Sequence, residues 1–369
     1  MNILVTGADG FIGKNLVKRL NEIDKFTVTT FVRGDSDENL RDKLYDANAV
    51  FHLAAENRPD NEESYITGNV DLTNRLCNFI RELKKPIKFI FSSSTQACLD
   101  NAYGNSKLAA EKCVESLADE IKSSVIIYRL PGVFGKWCKP NYNSVVATFC
   151  HNIANDLPIK IHETSTELTL AYIDDVISSF IDVLSENMNQ GLFRRSVTPE
   201  YKITLSDLAS QIKKFINCRS DLISERVGKD FTRALYATYV SYLPKDKFDY
   251  QIPAHEDERG IFVEMLKTHD SGQFSYFTAY PGVTRGGHYH HTKTEKFLVM
   301  KGLARFKFRH IITDETFEIE VSSSIPKIVE TIPGWSHDIT NIGDEEIIVM
   351  LWANELFDKD NPDTILSKV

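Results

Sequence analysis

Apolar residues in the first half of the chain come in short blocks, separated by stretches where they recur every three or four positions. Blocks at residues 3–5, 28–32, 50–53, 87–91 and 125–128 are rich in Val, Ile and Phe and read as strands. Segments 14–21, 71–82 and 107–118 carry helical spacing between them, and segments 174–186 and 205–215 follow with the same spacing. Alternating strand and helix predict parallel βαβ units. The expected fold for this half is α/β, a Rossmann-type doubly wound parallel sheet with helices on its faces. From about residue 249 the pattern changes. Segments 264–266, 274–279, 296–301, 304–309, 315–321, 328–332 and 347–351 read as short strands, with Tyr280-Pro281-Gly282, Lys301-Gly302 and Pro333-Gly334 as turns. Many short strands at regular spacing predict an all-β sandwich or small barrel. The two patterns assign one domain to residues 1–245 and a second to residues 253–369, with the join inside 241–251 beside Pro244.

Composition narrows the class. A length of 369 residues fits two or three domains, and 42% hydrophobic with 26% charged residues excludes a disordered chain. The longest apolar run, residues 347–353, is far short of the ~18 residues that span a bilayer, so it reads as a buried strand. Met1-Asn2-Ile3-Leu4 has no basic leader, so no secretory signal is expected. A formal charge of −9 argues against non-specific nucleic-acid binding. Six cysteines without a Cys-x-x-Cys pair read as reduced thiols. The expectation is a cytoplasmic protein without nucleic-acid partner or membrane span.

The first candidate site opens at the end of the first strand. Gly7-Ala8-Asp9-Gly10-Phe11-Ile12-Gly13 has the spacing G-x-x-G-x-x-G between a strand and a helix. The first Gly permits a tight turn, the next lets backbone N–H groups approach a pyrophosphate, and the third lets helix and strand pack closely. The second strand ends at Arg33-Gly34-Asp35. An arginine there accommodates a 2′-phosphate, whereas a carboxylate takes a ribose 2′-hydroxyl, so Arg33 favours NADPH and Asp35 is the NAD alternative. Tyr103 and Lys107 are four apart on a helix and share a face. An ammonium beside a phenol lowers its pKa from ~10, which suits proton exchange with a sugar hydroxyl or carbonyl. Ser92-Ser93-Ser94 tips a strand just upstream and can supply a hydroxyl to the same oxygen.

The second candidate site is a set of metal donors. Gly282, His288, His290, Glu295 and Gly302 form G-x5-H-x-H-x4-E-x6-G, and Pro333, Gly334, His337 and Asn341 form P-G-x2-H-x3-N. Residues two apart on a strand share a face, so His288 and His290 converge, and Glu295 and His337 join them from neighbouring strands. Three imidazoles and a carboxylate suit a divalent transition metal such as Zn, Fe, Mn or Ni, with zinc the expectation. His291 and His310 read as surface residues.

Several of these stretches carry resemblances. Gly7 to Gly13, His52-Leu53-Ala54-Ala55, Phe91-Ser92-Ser93-Ser94, Tyr103-Gly104-Asn105-Ser106-Lys107 and Tyr172-Ile173-Asp174-Asp175-Val176 resemble an extended short-chain dehydrogenase/reductase of the nucleotide-sugar type, over residues 1 to about 240. The resemblance implies that Ser94 polarises a carbonyl, Tyr103 is the general acid and Lys107 binds the nicotinamide ribose. It places Gly7, Gly10, Phe11, Ile12, Gly13, Arg33 and Ala54 around the dinucleotide. Two departures stand out: Ser94 and Tyr103 are only nine residues apart, and Gly132 sits where many relatives carry Asn, so Asn141 or Asn143 is left to replace it.

The donor motifs of the second half resemble the cupin family, a β-barrel or jelly roll. Asp257-Glu258-Arg259-Gly260 with Arg285-Gly286-Gly287-His288-Tyr289 also resembles cupin-fold deoxysugar 3,5-epimerases. That second resemblance implies a catalytic base at His288, which competes with its role as a metal ligand. The tyrosine acid of those epimerases has no counterpart in Val349-Met350-Leu351-Trp352. A reductase followed by a cupin resembles bacterial capsular polysaccharide synthesis enzymes. That resemblance implies a homodimer acting on a UDP-2-acetamido-2,6-dideoxy-4-hexulose. The sugar would be epimerised at C-3, then reduced at C-4 by NADPH to UDP-2-acetamido-2,6-dideoxy-β-L-talose. The chemistry is coherent, because hydrogens beside a ketone are acidic and reduction of the ketone traps the epimer. The alternatives are a working reductase with a non-catalytic cupin used for sugar binding or dimerisation, and an iron-dependent oxygen-using cupin.

Overall fold

The computed structural model describes every residue except Asp60, Lys122, His162 and Asn361. The chain divides into two compact units, one formed by Met1–Ile212 with Ala234–Leu243, the other by Lys213–Arg233 with Pro244–Val369.

In the first unit, six parallel strands form a sheet: β1 (Asn2–Thr6), β2 (Thr27–Phe31), β3 (Ala49–His52), β4 (Lys88–Ser94), β5 (Ser124–Leu130) and, after the two short strands introduced below, β8 (Gly191–Arg195). Their order is β2-β1-β3-β4-β5-β8, so the winding reverses between β1 and β3. Open parallel sheets bind ligands at that reversal, outside the carboxyl ends of the strands. Helices α1 (Phe11–Asn21), α2 (Asp37–Asp46), the single turn α3 (Glu63–Tyr65), a π-helical turn at Ile66–Asp71, α4 (Leu72–Leu83) and α5 (Ala102–Glu120) follow the early strands. Alternate strand residues bury to opposite faces. Leu4, Val50, Phe89, Phe91, Val125 and Ile127 pack under α2, α4 and α5. Phe51 and Tyr128 lie on Phe180 of α7 (Ile173–Ser185), with ring centroids 5.5 Å and 4.9 Å away. Cutting Phe180 to alanine would cost ~3–5 kcal/mol. A small second sheet, β6 (Gly132–Phe134), β7 (Glu167–Tyr172) and β9 (Tyr201–Thr204), lies outside the expected pattern, as do α2, α6 (Val145–Ala154) and α9 (Asp230–Val240).

The second unit is almost wholly antiparallel. One sheet has the order β10 (Ile223–Ser224), β12 (Gly260–Thr268), β13 (Gln273–Ala279), β20 (Ile347–Ala353), β15 (Glu295–Lys301) and β18 (Ile328–Glu330), with β11 (His255–Asp257) paired to β12. The other has the order β17 (Thr316–Ser322), β16 (Leu303–His310), β19 (Trp335–Asn341), β14 (Thr284–Tyr289) and β21 (Ile365–Leu366). Inward residues of both sheets, among them Phe277, Phe297, Phe306, Ile339 and Val349, form one core. The division between units is not a single cut. β10, from the segment after α8 (Leu205–Asp221), pairs in parallel with β12. Among the described residues no helix is long and apolar enough to cross a membrane, and all six cysteines are free thiols.

Two candidate functional sites

The glycine turn sits at the sheet reversal. Gly7 has φ +69°, and a Cβ there would lie 2.6 Å from Ala54 N, two residues past the end of β3. A Cβ on Gly13 would lie 2.1 Å from Gly7 O, so only glycine lets α1 seat against the turn. Gly10 caps α1 without a side chain, which leaves the first N–H groups of the helix directed at the crevice. A cleft of about 1370 Å³ opens there, lined by Gly7, Gly10, Arg33, Ala54, Ser94, Tyr103 and Lys107 among others. Phe11, Ile12 and Gly13 line it as well.

Tyr103 meets Ser94 because the chain between them is compact. Ser94 ends β4, and its Oγ accepts from Gln96 N at 3.2 Å to start one 3-10 turn, Thr95–Cys98. Asn101 caps α5 through Gly104 N at 2.8 Å, and a Cβ on Gly104 would strike Gln96 O at 2.2 Å. That close approach is how nine residues suffice between Ser94 and Tyr103. Burial pushes the Tyr103 phenol up to about 12, against a hydrogen bond with Ser94 that lowers it. Lys107 is 3% exposed, donates to Ser92 O at 2.7 Å, and is brought down to about 8 by burial, with the buried Glu111 opposing that shift. The expected lowering of the tyrosine by the lysine is therefore not what this arrangement produces. The ammonium is committed to a backbone carbonyl, and burial dominates at the phenol.

Arg33 is an exposed guanidinium paired with Glu56. Asp35 is already engaged, accepting from Val32 N at 3.2 Å and Lys43 Nζ at 3.0 Å. Of the two asparagines considered beside Gly132, Asn143 lines the cleft. Asn141 instead closes a turn, its N–H donating to Thr148 Oγ1 at 2.9 Å. Sequence reasoning missed Asn69, buried in the π-helical turn. Its amide bonds Glu56 N at 2.7 Å and Ser106 Oγ at 2.9 Å, tying the turn to the helix that carries Tyr103. An isolated asparagine carries no pattern that would have found it.

In the second unit the four donors converge. One ligand atom from each of His288, His290, Glu295 and His337 lies within 4.8 Å of every other. A β-bulge brings this about: Gly286 pairs Asp338 and His288 pairs His337, so Gly287 is extra. Both Gly286 and Gly287 have positive φ, +100° and +78°. The bulge turns Arg285 and His288 to the same inner side. Glu295 Oε2 lies 3.4 Å from His290 Nε2 and 3.4 Å from His337 Nε2. Neither nitrogen has a hydrogen-bond partner among the described residues, though both are buried. Burial works against charge on Glu295, yet His290, His337 and Lys293 hold its carboxyl well below the usual carboxylate range. A cavity of about 120 Å³ adjoins the cluster, lined by Arg285, His288, Glu295, His337 and Asp338 with Phe277, Phe297 and Leu351. His291 is exposed, and His310 accepts from Ile312 N and Thr313 N in a turn, so both lie outside the cluster.

These two sites sit in a chain whose relatives are recognisable. Residues 3–193 match the NAD dependent epimerase/dehydratase family, and residues 255–365 match the polysaccharide biosynthesis C-terminal domain. The chain belongs to the NAD dependent epimerase/dehydratase family. It is similar to the capsular polysaccharide assembling protein CapF from Staphylococcus aureus, with a TM-score of 0.91, 39% identity and full coverage of both chains. It is also 52% identical over 369 residues, all of this chain and 99% of the relative, to the UDP-2-acetamido-2,6-beta-L-arabino-hexul-4-ose reductase of Pseudomonas aeruginosa. The UDP-glucuronic acid 4-epimerase of Bacillus cereus, solved with UDP-glucuronic acid and NAD, matches 59% of this chain and 83% of its own at TM-score 0.53 and 21% identity, a likeness of fold.

Proposed function

We propose that the chain is a bifunctional nucleotide-sugar enzyme of capsule or surface polysaccharide synthesis. Its second unit, read as a cupin, epimerises C-3 of a UDP-2-acetamido-2,6-dideoxy-4-hexulose. Its first unit, read as residues 1–245, reduces the C-4 ketone with NADPH to UDP-2-acetamido-2,6-dideoxy-β-L-talose. The observation that carries this reading is the pairing, in one chain, of a Ser94–Tyr103–Lys107 cleft with a buried imidazole–carboxylate cluster. The full-length likeness to a protein named as a 4-ulose reductase supports the substrate class.

The residues fit both implied groups. The glycine turn has no room for any Cβ at Gly7 or Gly13, and leaves free N–H groups for a pyrophosphate. Exposed Arg33, with Asp35 occupied, favours the 2′-phosphate of NADPH. The nicotinamide, when bound, supplies the hydride. Tyr103, kept protonated by burial, gives its proton to the oxygen at C-4 while Ser94 holds that oxygen, and the carbonyl becomes an alcohol. Lys107 holds the ribose. In the second unit, His290, Glu295 and His337 are the buried donors and suit zinc, which would act as a Lewis acid. His288, half-buried and lining the cavity, is the member that can serve as fourth ligand or as base toward C-3.

Incubation of the 4-keto sugar in D2O without NADPH tests the epimerase. Deuterium should enter at C-3, and its absence with zinc-loaded protein would defeat the claim. A second reading, a reductase with a non-catalytic cupin, is favoured by one observation: among the described residues no tyrosine lines the cavity, and Trp352 donates to Ser271 O. A homodimer is part of the proposal. Exposed Phe274, Tyr276, Met300, Ile328 and Met350 share the outer face of one sheet, an apolar surface suited to a second copy.

A further inference from the structure

The turn that follows His290 is held by a segment 73 residues further along. The Asp363 carboxylate accepts from three successive backbone N–H groups, His291 at 2.8 Å, Thr292 at 2.7 Å and Lys293 at 2.9 Å, and from Thr292 Oγ1 at 3.1 Å. A carboxylate seated in such a nest of N–H groups fixes the backbone around it. The Asp363 carbonyl accepts a hydrogen bond from His290 Nδ1. That bond puts the proton on Nδ1 and the lone pair on Nε2, the atom that is buried without a partner among the described residues, 3.4 Å from Glu295. Lys293 leaves the same turn and places Nζ 2.9 Å from Glu295 Oε1. Only Oε2 then faces the imidazoles. Immediately beyond Asp363, Leu366 pairs with His288, and Ser367 N donates to Gly287 O at 2.9 Å. Leu366 is 86% exposed, so its own burial does not account for its place beside His288.

We propose that Asp363 and Lys293 are positioning residues of the imidazole cluster: Asp363 sets the His290 tautomer and turn, and Lys293 limits Glu295 to one donor oxygen. The inference rests on the metal reading given above. The test uses the full chain and the variants Asp363→Ala, Asp363→Asn and Lys293→Met. Three readouts are taken: the histidine nitrogens by 15N NMR in metal-free protein, Zn(II) affinity by competition with a chromogenic chelator, and the visible spectrum of the Co(II) form. Wild type should show His290 protonated at Nδ1 and bind one Zn(II). Asp363→Ala should lose that tautomer preference and bind Zn(II) about 10–100-fold more weakly, with Asp363→Asn between. Lys293→Met should keep one Co(II) but weaken its absorption, as the freed carboxylate binds through both oxygens. Unchanged tautomer and affinity in Asp363→Ala, or an unchanged Co(II) spectrum in Lys293→Met, would overturn the proposal. A wild type that binds no Zn(II) would instead sink the metal reading, and the tautomer comparison alone then decides the role of Asp363. Should Asp363→Ala fail to fold, the same readouts on Asp363→Asn and Lys293→Met decide the matter.

Discussion

The two sites are built by opposite means. The cleft of the first unit is built on backbone: a glycine turn, a bare helix N-terminus and a strand end, with side chains from β4, α5 and the lip at Arg33. The cluster of the second unit is entirely side chain, drawn from three strands and the loop behind one of them, and closed by a segment far along the chain. In the first, the buried ammonium of Lys107 is satisfied by Ser92 O. In the second, the buried Nε2 atoms of His290 and His337 lack hydrogen-bond partners among the described residues and face Glu295 Oε2 at 3.4 Å. Bare N–H groups at an open crevice suit a ligand that comes and goes, whereas buried nitrogens gathered around one carboxylate suit a resident ion.

The comparison breaks most sharply at Tyr103. Tyr103→Phe removes the phenolic proton meant for the oxygen at C-4 and should cut reduction by about 10²–10⁴-fold. C-3 exchange in D2O should persist. Following NADPH oxidation beside deuterium uptake separates the two, and loss of both would mean the units do not work independently. The converse variant, His337→Ala, should release zinc and lower C-3 exchange by ~10²-fold, since a Lewis acid is worth several kcal/mol of charge stabilisation. Reduction of a 4-keto sugar already carrying the required C-3 configuration should continue. If His337→Ala yields the same stereoisomer from the unepimerised sugar, the non-catalytic reading of the second unit prevails.

Legibility in the sequence follows the same contrast. The glycine turn, Ser94, Tyr103 and Lys107 are readable because each lies in a contiguous motif at the edge of an apolar strand. The strands β1, β3 and β4 are readable because both faces bury Val, Ile and Phe. β14 and β19 are not visible as apolar strands. Their inward positions carry Arg285, His288 and His337, so chemistry occupies the places that a hydrophobic pattern needs. Only donor spacing exposes them. The helix α2 escapes notice because it buries just Leu40 and Leu44. Asp363 and Lys293 have no local signal at all, since their meaning comes from a pairing across 70 residues. The ammonium's influence on Tyr103 is misread for a related reason: i,i+4 spacing gives a shared face, not a hydrogen-bond partner.

An imidazole in the first unit sharpens the contrast with those in the second. His52 is fully buried, with Nδ1 2.7 Å from Thr6 Oγ1 and Nε2 2.9 Å from Thr73 Oγ1. Thr73 in turn donates to Asn69 O, so the ring is a neutral bridge with both nitrogens used. Burial, with the charge of Lys107, lowers its pKa from 6.5 to about 3. Unfolded His52 therefore binds a proton between those values that the folded ring refuses. Its contribution is present above pH 6.5 and lost as pH falls toward 3, with a slope of about 1.4 kcal/mol per pH unit. Native-state hydrogen exchange of β1 and β3 amides between pH 7 and 4 reads this directly. His52→Gln should flatten the slope, and an equal slope in that variant would remove His52 as its source.

The smallest effect expected is at Arg33, the side chain that the proposed reading gives the choice of cofactor. The guanidinium is exposed and paired with Glu56, and Asp35 is held by Lys43. A 2′-phosphate approaching this lip would exchange one carboxylate partner for a stronger oxyanion, in solvent, so the gain is modest. Arg33→Ala should reduce NADPH preference over NADH by about 10-fold, near 1.4 kcal/mol, through KM and not kcat. The loss should shrink with added salt, because the contact is solvent-exposed. An unchanged NADPH to NADH ratio of kcat/KM would transfer the ribose to Asp35. It would also show that this cleft selects its ligand without the guanidinium at its lip.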